Sequence, residues 1–310
     1  MTIFAFVFPG QGSQSRGMMN GYADFPVVRN TFAEASDILK QDMWELVTEG
    51  SDADLNATVN TQPIMLTAGV AVWRAWQSQN GATPTMMAGH SLGEYTALVA
   101  AGALSFADAL PLVRYRAQCM QQAVPEGVGG IAAILGLDDE VVRLVCAEAA
   151  HSEVLEAVNY NSPGQVVIAG NRTAVERGME LAKAKGAKRA IMLPMSVPSH
   201  CSLLKGAAEQ LREYLRNIEV QIPTIPVLHN ADVTAHNDGE AIKDALVRQL
   251  YSPVRWVETV LAFGNQGITH NVECAPGKVL AGLNKRIDTN QQALAMNDGA
   301  ALTLALTTFA

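Results

Sequence analysis

The sequence predicts an α/β protein in which a small β-α-β-β-α-β unit interrupts a larger α/β domain. Three observations carry this expectation. Short apolar or β-branched runs alternate with longer helical stretches through most of the chain, as in a sheet covered by helices. From residue 130 to residue 195 the order changes to strand, helix, two strands, helix and strand, the split βαβ or ferredoxin-like arrangement. That stretch is flanked by Val124-Pro125-Glu126-Gly127 and by Pro194 and Pro198, segments of hinge-like composition.

In chain order, residues 3–8 (IFAFVF) are apolar throughout and stop at Pro9-Gly10, which fits a strand buried on both faces. Residues 63–79 form a helix, with Pro63 suited to its first turn and Leu66, Val70, Trp73 and Trp76 on one stripe. Met86-Met87-Ala88 is a short strand ending at Gly89, and a helix begins near Gly93-Glu94. Ser105 with Asp108 resembles a capping box for a helix reaching about Gln122. Pro111 inside it should kink or shorten the early turns, which unsettles the placement of Arg116. Within the small unit, 130–137 is a strand and 138–150 an acidic-started helix; 154–160 and 165–169 form a hairpin across Asn161-Ser162-Pro163-Gly164. Residues 173–185 form a helix stopped by Gly186, and 188–195 the last strand. The expected boundaries are 1–125 with 197–310 for the large domain and 126–196 for the insertion.

Composition narrows the function classes. Apolar residues make up 49% and charged residues 17%, an ordinary globular balance rather than a disordered one. The net charge of −8 argues against nucleic acid as the partner. No stretch approaches the roughly 20 apolar residues that span a bilayer, and the start lacks the basic n-region of a signal peptide. Cys119, Cys146, Cys201 and Cys274 are scattered with no CxxC pair, so neither a metal site nor a disulfide framework is expected, and a cytoplasmic setting fits. Without heptads or apolar tails, a monomer is expected.

The sharpest motif is Gly89-His90-Ser91-Leu92-Gly93, a G-x-S-x-G pattern preceded by a strand and followed by a helix, as a nucleophile elbow requires. In that turn the Ser91 hydroxyl is lifted towards a cleft, and the Leu92 N–H points where an oxyanion would form. The competing reading is a Gly-rich connection with a capping serine. Pro9-Gly10-Gln11-Gly12-Ser13-Gln14 follows the first strand, and Gln11 is the natural second oxyanion donor. This loop lacks the lysine of a phosphate-binding loop and the full G-x-G-x-x-G spacing. A base must come from six histidines: His90, His151, His200, His229, His236 and His270. His90 neighbours Ser91 in the turn, so its ring should point elsewhere. His229 and His270 lie in apolar runs and read as core or strand-end residues. His200 follows the insertion, a good place for a cleft residue, yet spacing alone puts it only slightly ahead of His270. Arg116, by its residues alone, reads as a solvated helix arginine.

FVFPGQGSQ, TQP, GHSLGEY, Tyr115-Arg116, NSPGQVVIAG, VPSH and PGKVL occur in this order across nearly the whole chain. Together they resemble the malonyl-CoA:acyl carrier protein transacylase family of bacterial fatty-acid synthesis, related to polyketide synthase acyltransferase domains. The resemblance implies an α/β-hydrolase-like domain with an inserted ferredoxin-like subdomain, no cofactor, and malonyl-CoA and an acyl carrier protein as partners. It implies Ser91 as nucleophile, His200 as base and then acid, and Gln249 orienting His200 through a carbonyl. It implies an oxyanion hole from Gln11 and Leu92, and Arg116 holding the malonyl carboxylate by a fork that lysine could not reproduce. Gln62, Gln165 and His90 would line the substrate cleft, and Lys188 and Arg189 would meet a coenzyme A phosphate. Residues 181–216 hold seven basic residues against Glu209 and Glu213, a face that an acidic carrier protein would favour. The chain departs from the family at Ala275, where a glycine is usual, and at Pro111. A serine esterase or thioesterase, a discrete polyketide-pathway acyltransferase and a non-catalytic carrier-binding scaffold are the rival readings.

Overall fold

A computed structural model describes residues 3–125, 127–194 and 197–310; the expectations at Glu126, Met195 and Ser196 lie outside the described residues. The strands are β1 (Phe4–Phe8), β2 (Met86–Gly89), β3 (Gly129–Leu135), β4 (Leu155–Ser162), β5 (Gln165–Asn171), β6 (Arg189–Met192), β7 (Val227–Leu228), β8 (His270–Glu273) and β9 (Gln292–Ala295). They form one parallel sheet in the order β7-β2-β1-β8-β9 and a separate antiparallel sheet in the order β4-β5-β3-β6.

The continuous apolar run of β1 is explained by its central place. Phe4, Phe6 and Phe8 join a core with Trp73 and Trp76 on one face of the sheet, where Phe6 meets both indoles edge-on. Ala5 and Val7 pack on the other face with Trp256, Val260 and Phe263. The small sheet buries Ala132, Ile134, Val166 and Ile168 against its two helices, Asp139–Ala150 and Arg172–Ala184. Its opposite face carries Ile131, Val167 and Ala169 and packs with Cys201. β4 is also tied to the segment after the helix Gly239–Gln249: Tyr160 N donates to Val254 O at 3.0 Å and Val254 N to Val158 O at 2.8 Å.

Two helix expectations are corrected. The helix expected from Pro63 begins at Thr58 and runs to Ser78, with Pro63 inside it. Pro111 likewise lies inside the helix Phe106–Ala123 and neither ends nor shortens it. A proline there forgoes one backbone hydrogen bond and crowds the preceding turn, at about 3 kcal/mol. In both helices the flanking residues are wholly buried, Gln62 and Ile64 in one and Leu110 and Leu112 in the other, and burial of one aliphatic side chain such as Ile64 or Leu110 is worth about 1.5–3 kcal/mol. Tertiary packing therefore overrides the local signal, and Arg116 stays on an unbroken helix.

Candidate active site

The site forms at the carboxyl ends of β1 and β2, where open parallel sheets present loops to a cleft. β2 ends at Gly89, His90 N donates to Phe8 O at 2.9 Å, and the next helix starts at Leu92. Between them Ser91 has φ 52° and ψ −109°, a sparsely populated conformation costing about 1–3 kcal/mol. A Cβ on Gly89 would sit 1.8 Å from Gly93 C, and one on Gly93 would sit 1.9 Å from Phe8 O. Only glycine fits at either position. Asn230 clasps the turn from both sides, accepting from Ser91 N and donating to Gly89 O, each at 2.7 Å. Ser91 occupies the cap position yet makes no side-chain cap, so the capping-serine reading fails and its hydroxyl is free for other work.

That hydroxyl lies 2.8 Å from His200 Nε2. His200 Nδ1–H donates to the backbone carbonyl of Gln249 at 2.7 Å. A carbonyl only accepts, so the proton sits on Nδ1 and the Nε2 lone pair faces Ser91. Burial first, then the nearby Arg116 and His90, push the His200 imidazole down to about 3, while its bond to Gln249 opposes them. His200 is therefore a neutral, oriented base with an amide carbonyl where a carboxylate often stands.

Arg116 is 1% exposed, not solvated as its spacing suggested. Nη1 donates to Gln62 Oε1 at 2.9 Å, and Nη2 donates to Gln249 Oε1 at 2.9 Å and Ser91 Oγ at 3.2 Å. The guanidinium lies over the Tyr95 ring. Burial pulls its proton affinity down, with Tyr95 and Glu94 opposing. Among the described residues it forms no ion pair, and its Nε–H has no partner. A buried cation with spare donors beside a nucleophile is a receptor for an anionic group.

The cleft has a cavity volume of about 190 Å³ and is lined by Gln11, Gln62, His90, Gln165 and Leu92 together with Ser91, Arg116 and His200. A Cβ on Gly10 would lie 3.6 Å from Leu92 N, so the Gln11 loop abuts the oxyanion position. The His90 ring does not leave the cleft as expected: Nε2 pairs with Asn161 Oδ1 at 2.8 Å. Gln165 accepts from Arg286 at 2.9 Å at the rim. Lys188 and Arg189 are not among the lining residues. Arg189 pairs with Leu135, which pairs with Gln165, so Arg189 shares the cleft-side face two strands away, about 10 Å off. The basic segment is largely neutralised, because Lys183, Lys185, Arg212 and Arg216 each pair with a carboxylate. His270 stands at the amino end of β8, the opposite end from the site, and His151 is exposed at a helix end.

Sequence reasoning missed the layer behind the nucleophile. Glu94 accepts from His229 Nδ1 at 2.7 Å, Asn230 N at 2.8 Å and Gln249 Nε2 at 2.9 Å. The signal for Glu94 was present, since it follows Ser91 by three residues on a helix that buries every side. Nothing in the local pattern around Asn230 marks it.

The chain matches the model of the acyl transferase domain family over residues 5–303. It is 56% identical to the malonyl CoA-acyl carrier protein transacylase of Salmonella typhimurium, covering 99% of this chain and all of the relative, and 43% identical to the Bacillus subtilis protein of that name, covering 99% and 98%. Among solved structures it is similar to an acyl-carrier-protein S-malonyltransferase from Burkholderia pseudomallei, with 60% identity, a TM-score of 0.97 and coverage of 99% and 100%. A malonyl-transacylase in complex with a type II polyketide acyl carrier protein superposes with a TM-score of 0.98 at 52% identity, over 99% of this chain and all of that one.

Proposed function

The chain belongs to the acyl transferase domain family, and from that premise we propose that it moves a malonyl group from malonyl-CoA to the phosphopantetheine thiol of an acyl carrier protein. The observation that carries this is Arg116: a buried guanidinium with no carboxylate of its own, 3.2 Å from the Ser91 hydroxyl. A neutral acyl group would leave the spare N–H donors of Arg116 unanswered, and a malonyl carboxylate answers them.

His200 Nε2 takes the Ser91 proton as Oγ bonds to the thioester carbonyl carbon. The carbonyl oxygen becomes an oxyanion, met by the Gln11 and Leu92 N–H groups. The intermediate collapses with loss of the coenzyme A thiolate, which takes the proton from the His200 imidazolium and leaves malonyl-Ser91. The carrier thiol then gives its proton to His200 and attacks the ester, and Ser91 Oγ leaves and recovers that proton. Gln249 holds the imidazole through both halves. Gln62, Gln165 and His90 line the path of the acyl and pantetheine groups, and Lys188 and Arg189 meet the coenzyme A phosphates, Arg189 from the cleft-side face. No cofactor enters.

In this reading the parallel sheet belongs to an α/β-hydrolase-like domain, residues 1–125 and 197–310, and the antiparallel sheet to a ferredoxin-like insertion, 126–196. The β-α-β-β-α-β order and the β4-β5-β3-β6 arrangement support it. The protein acts as a cytoplasmic monomer; no described helix is long and apolar enough to cross a membrane. The names of the curated relatives give an acyl carrier protein as acceptor, in this reading the carrier of fatty-acid synthesis, and the polyketide carrier bound to one structural neighbour favours a second reading with that partner. Intact-mass analysis after incubation with malonyl-CoA tests the proposal: wild type gains one malonyl group and Ser91→Ala gains none. A malonylated Ser91→Ala protein would refute the nucleophile.

A further inference from the structure

The Glu94 carboxylate is fully buried in the first turn of the helix Leu92–Ala100 and does not line the cleft. Its three donors come from His229, Asn230 and Gln249. A carboxylate only accepts and a guanidinium only donates, so the two of them fix the Gln249 amide between them. Gln249 Nε2 faces Glu94 and Ser91 O, each at 2.9 Å, while Oε1 faces Arg116 at 2.9 Å. The same residue's backbone carbonyl holds His200. One buried carboxylate thus holds the residue whose side-chain amide meets the anion receptor and whose backbone carbonyl meets the base.

The charges add a second role. Glu94 stands one amide away from Arg116 and favours its charged form. His229 gives its Nδ1–H to Glu94, and its buried Nε2 has no partner among the described residues. With the cleft empty, Glu94 and Arg116 balance. With a malonyl group on Ser91, two negative charges share one guanidinium.

We propose that Glu94 is a positioning residue for the transfer reaction and the resting counter-charge of Arg116, holding Gln249 in register while weakening the grip of Arg116 on the malonyl carboxylate. This rests on the malonyl-transfer reading. The device keeps the empty site from carrying an unbalanced buried cation, and it lets the acyl group depart to the second thiol.

Glu94→Gln separates the two roles. Its Oε1 can accept from Asn230 N and Gln249 Nε2, and its Nε2 can face His229, whose proton then moves to the unpartnered ring nitrogen, a cost in folded stability that the ratio below does not register. The shape survives and the charge goes. The charged and titratable groups facing this position are Arg116 from the helix Phe106–Ala123, Tyr95 on its own helix and His229 after β7. The test measures second-order rate constants for Ser91 acylation by malonyl-CoA and by acetyl-CoA, read by intact mass, and compares their ratio. The folded fraction cancels in that ratio, so a merely structural role leaves it unchanged.

Glu94→Gln should raise the malonyl-to-acetyl ratio on the order of tenfold, as removal of one nearby buried charge does. A ratio at or below that of wild type overturns the counter-charge. Gln249→Met keeps the carbonyl on His200 and severs the amide link. It should lower the ratio by costing malonyl acylation more than acetyl, and an unchanged ratio overturns the positioning role. Wild-type protein that takes no malonyl group would instead defeat the transfer reading itself.

Discussion

Replacing Arg116 by alanine isolates the interaction on which substrate choice turns in the proposed function. The guanidinium is 1% exposed, so it meets a carboxylate without competition from water. Hydrogen bonds to charged groups in proteins are worth about 1.5–3 kcal/mol each. A forked pair therefore contributes about 3–4 kcal/mol, after allowing for the Gln62 and Gln249 contacts that alanine also removes. At about 1.4 kcal/mol per decade, malonyl acylation of Ser91 should slow by about 10² to 10³ relative to acetyl acylation. An acetyl group has no carboxylate to lose, and removal of a cation that disfavours His200 protonation affects both substrates alike. Quenched-flow acylation with each thioester, scored by intact mass, gives the ratio directly. A ratio within threefold of wild type would show that Arg116 does not read the carboxylate, and the argument from its unpaired donors would fall.

Two further outcomes follow from buried titrating groups. His200 must be neutral to act as base, and its surroundings hold it far below the ordinary 6.5, so the rate of malonyl-enzyme formation should stay level from pH 8 to 5.5. An ordinary imidazole would lose about tenfold over that range, and a decline with a midpoint near 6.5 would contradict the neutral-base geometry. Burial pushes the Glu273 carboxyl up from 4.5 to about 7 against the N–H groups of Ala281, Leu280 and Val279. A raised carboxyl costs stability as pH climbs through that interval, by about 3 kcal/mol when complete. Glu273→Gln cannot ionise, so its Tm relative to wild type should improve between pH 5 and pH 8. A difference that stays constant with pH would refute the shift. His90 and His200, also held below 6.5, weaken both proteins alike as pH falls and cancel in the comparison.

The legibility of the site followed the range of the forces that build it. Ser91 could be read because its glycines answer a local requirement, the approach of Gly89 to Gly93 and of Gly93 to Phe8 O. The small unit could be read because its hairpin and helix signals are local. The choice between His200 and His270 could not, because it depends on which end of the parallel sheet each occupies. Arg116 looked solvated because its burial comes from Gln62, Tyr95 and Gln249, none of them its helix neighbours. Pro63 and Pro111 misled because packing outweighed their local cost. The basic run from Lys183 to Arg216 looked like a docking face because Glu148 and Asp244, which pair with two of its members, lie far away in sequence. Among the described residues His200 Nδ1 meets a backbone carbonyl and not a carboxylate. Glu94 instead reaches His200 through Gln249, a route that appears only in three dimensions.

The central claim is that Ser91 and His200 pass a malonyl group between two thiols rather than to water. The most direct measurement isolates malonyl-Ser91 protein free of malonyl-CoA and follows the adduct by intact mass, with and without holo acyl carrier protein. Transfer predicts an adduct that persists in buffer and moves quantitatively to the carrier thiol on mixing. Loss of the adduct as free malonate at the same rate with or without the carrier would contradict it and identify a hydrolase.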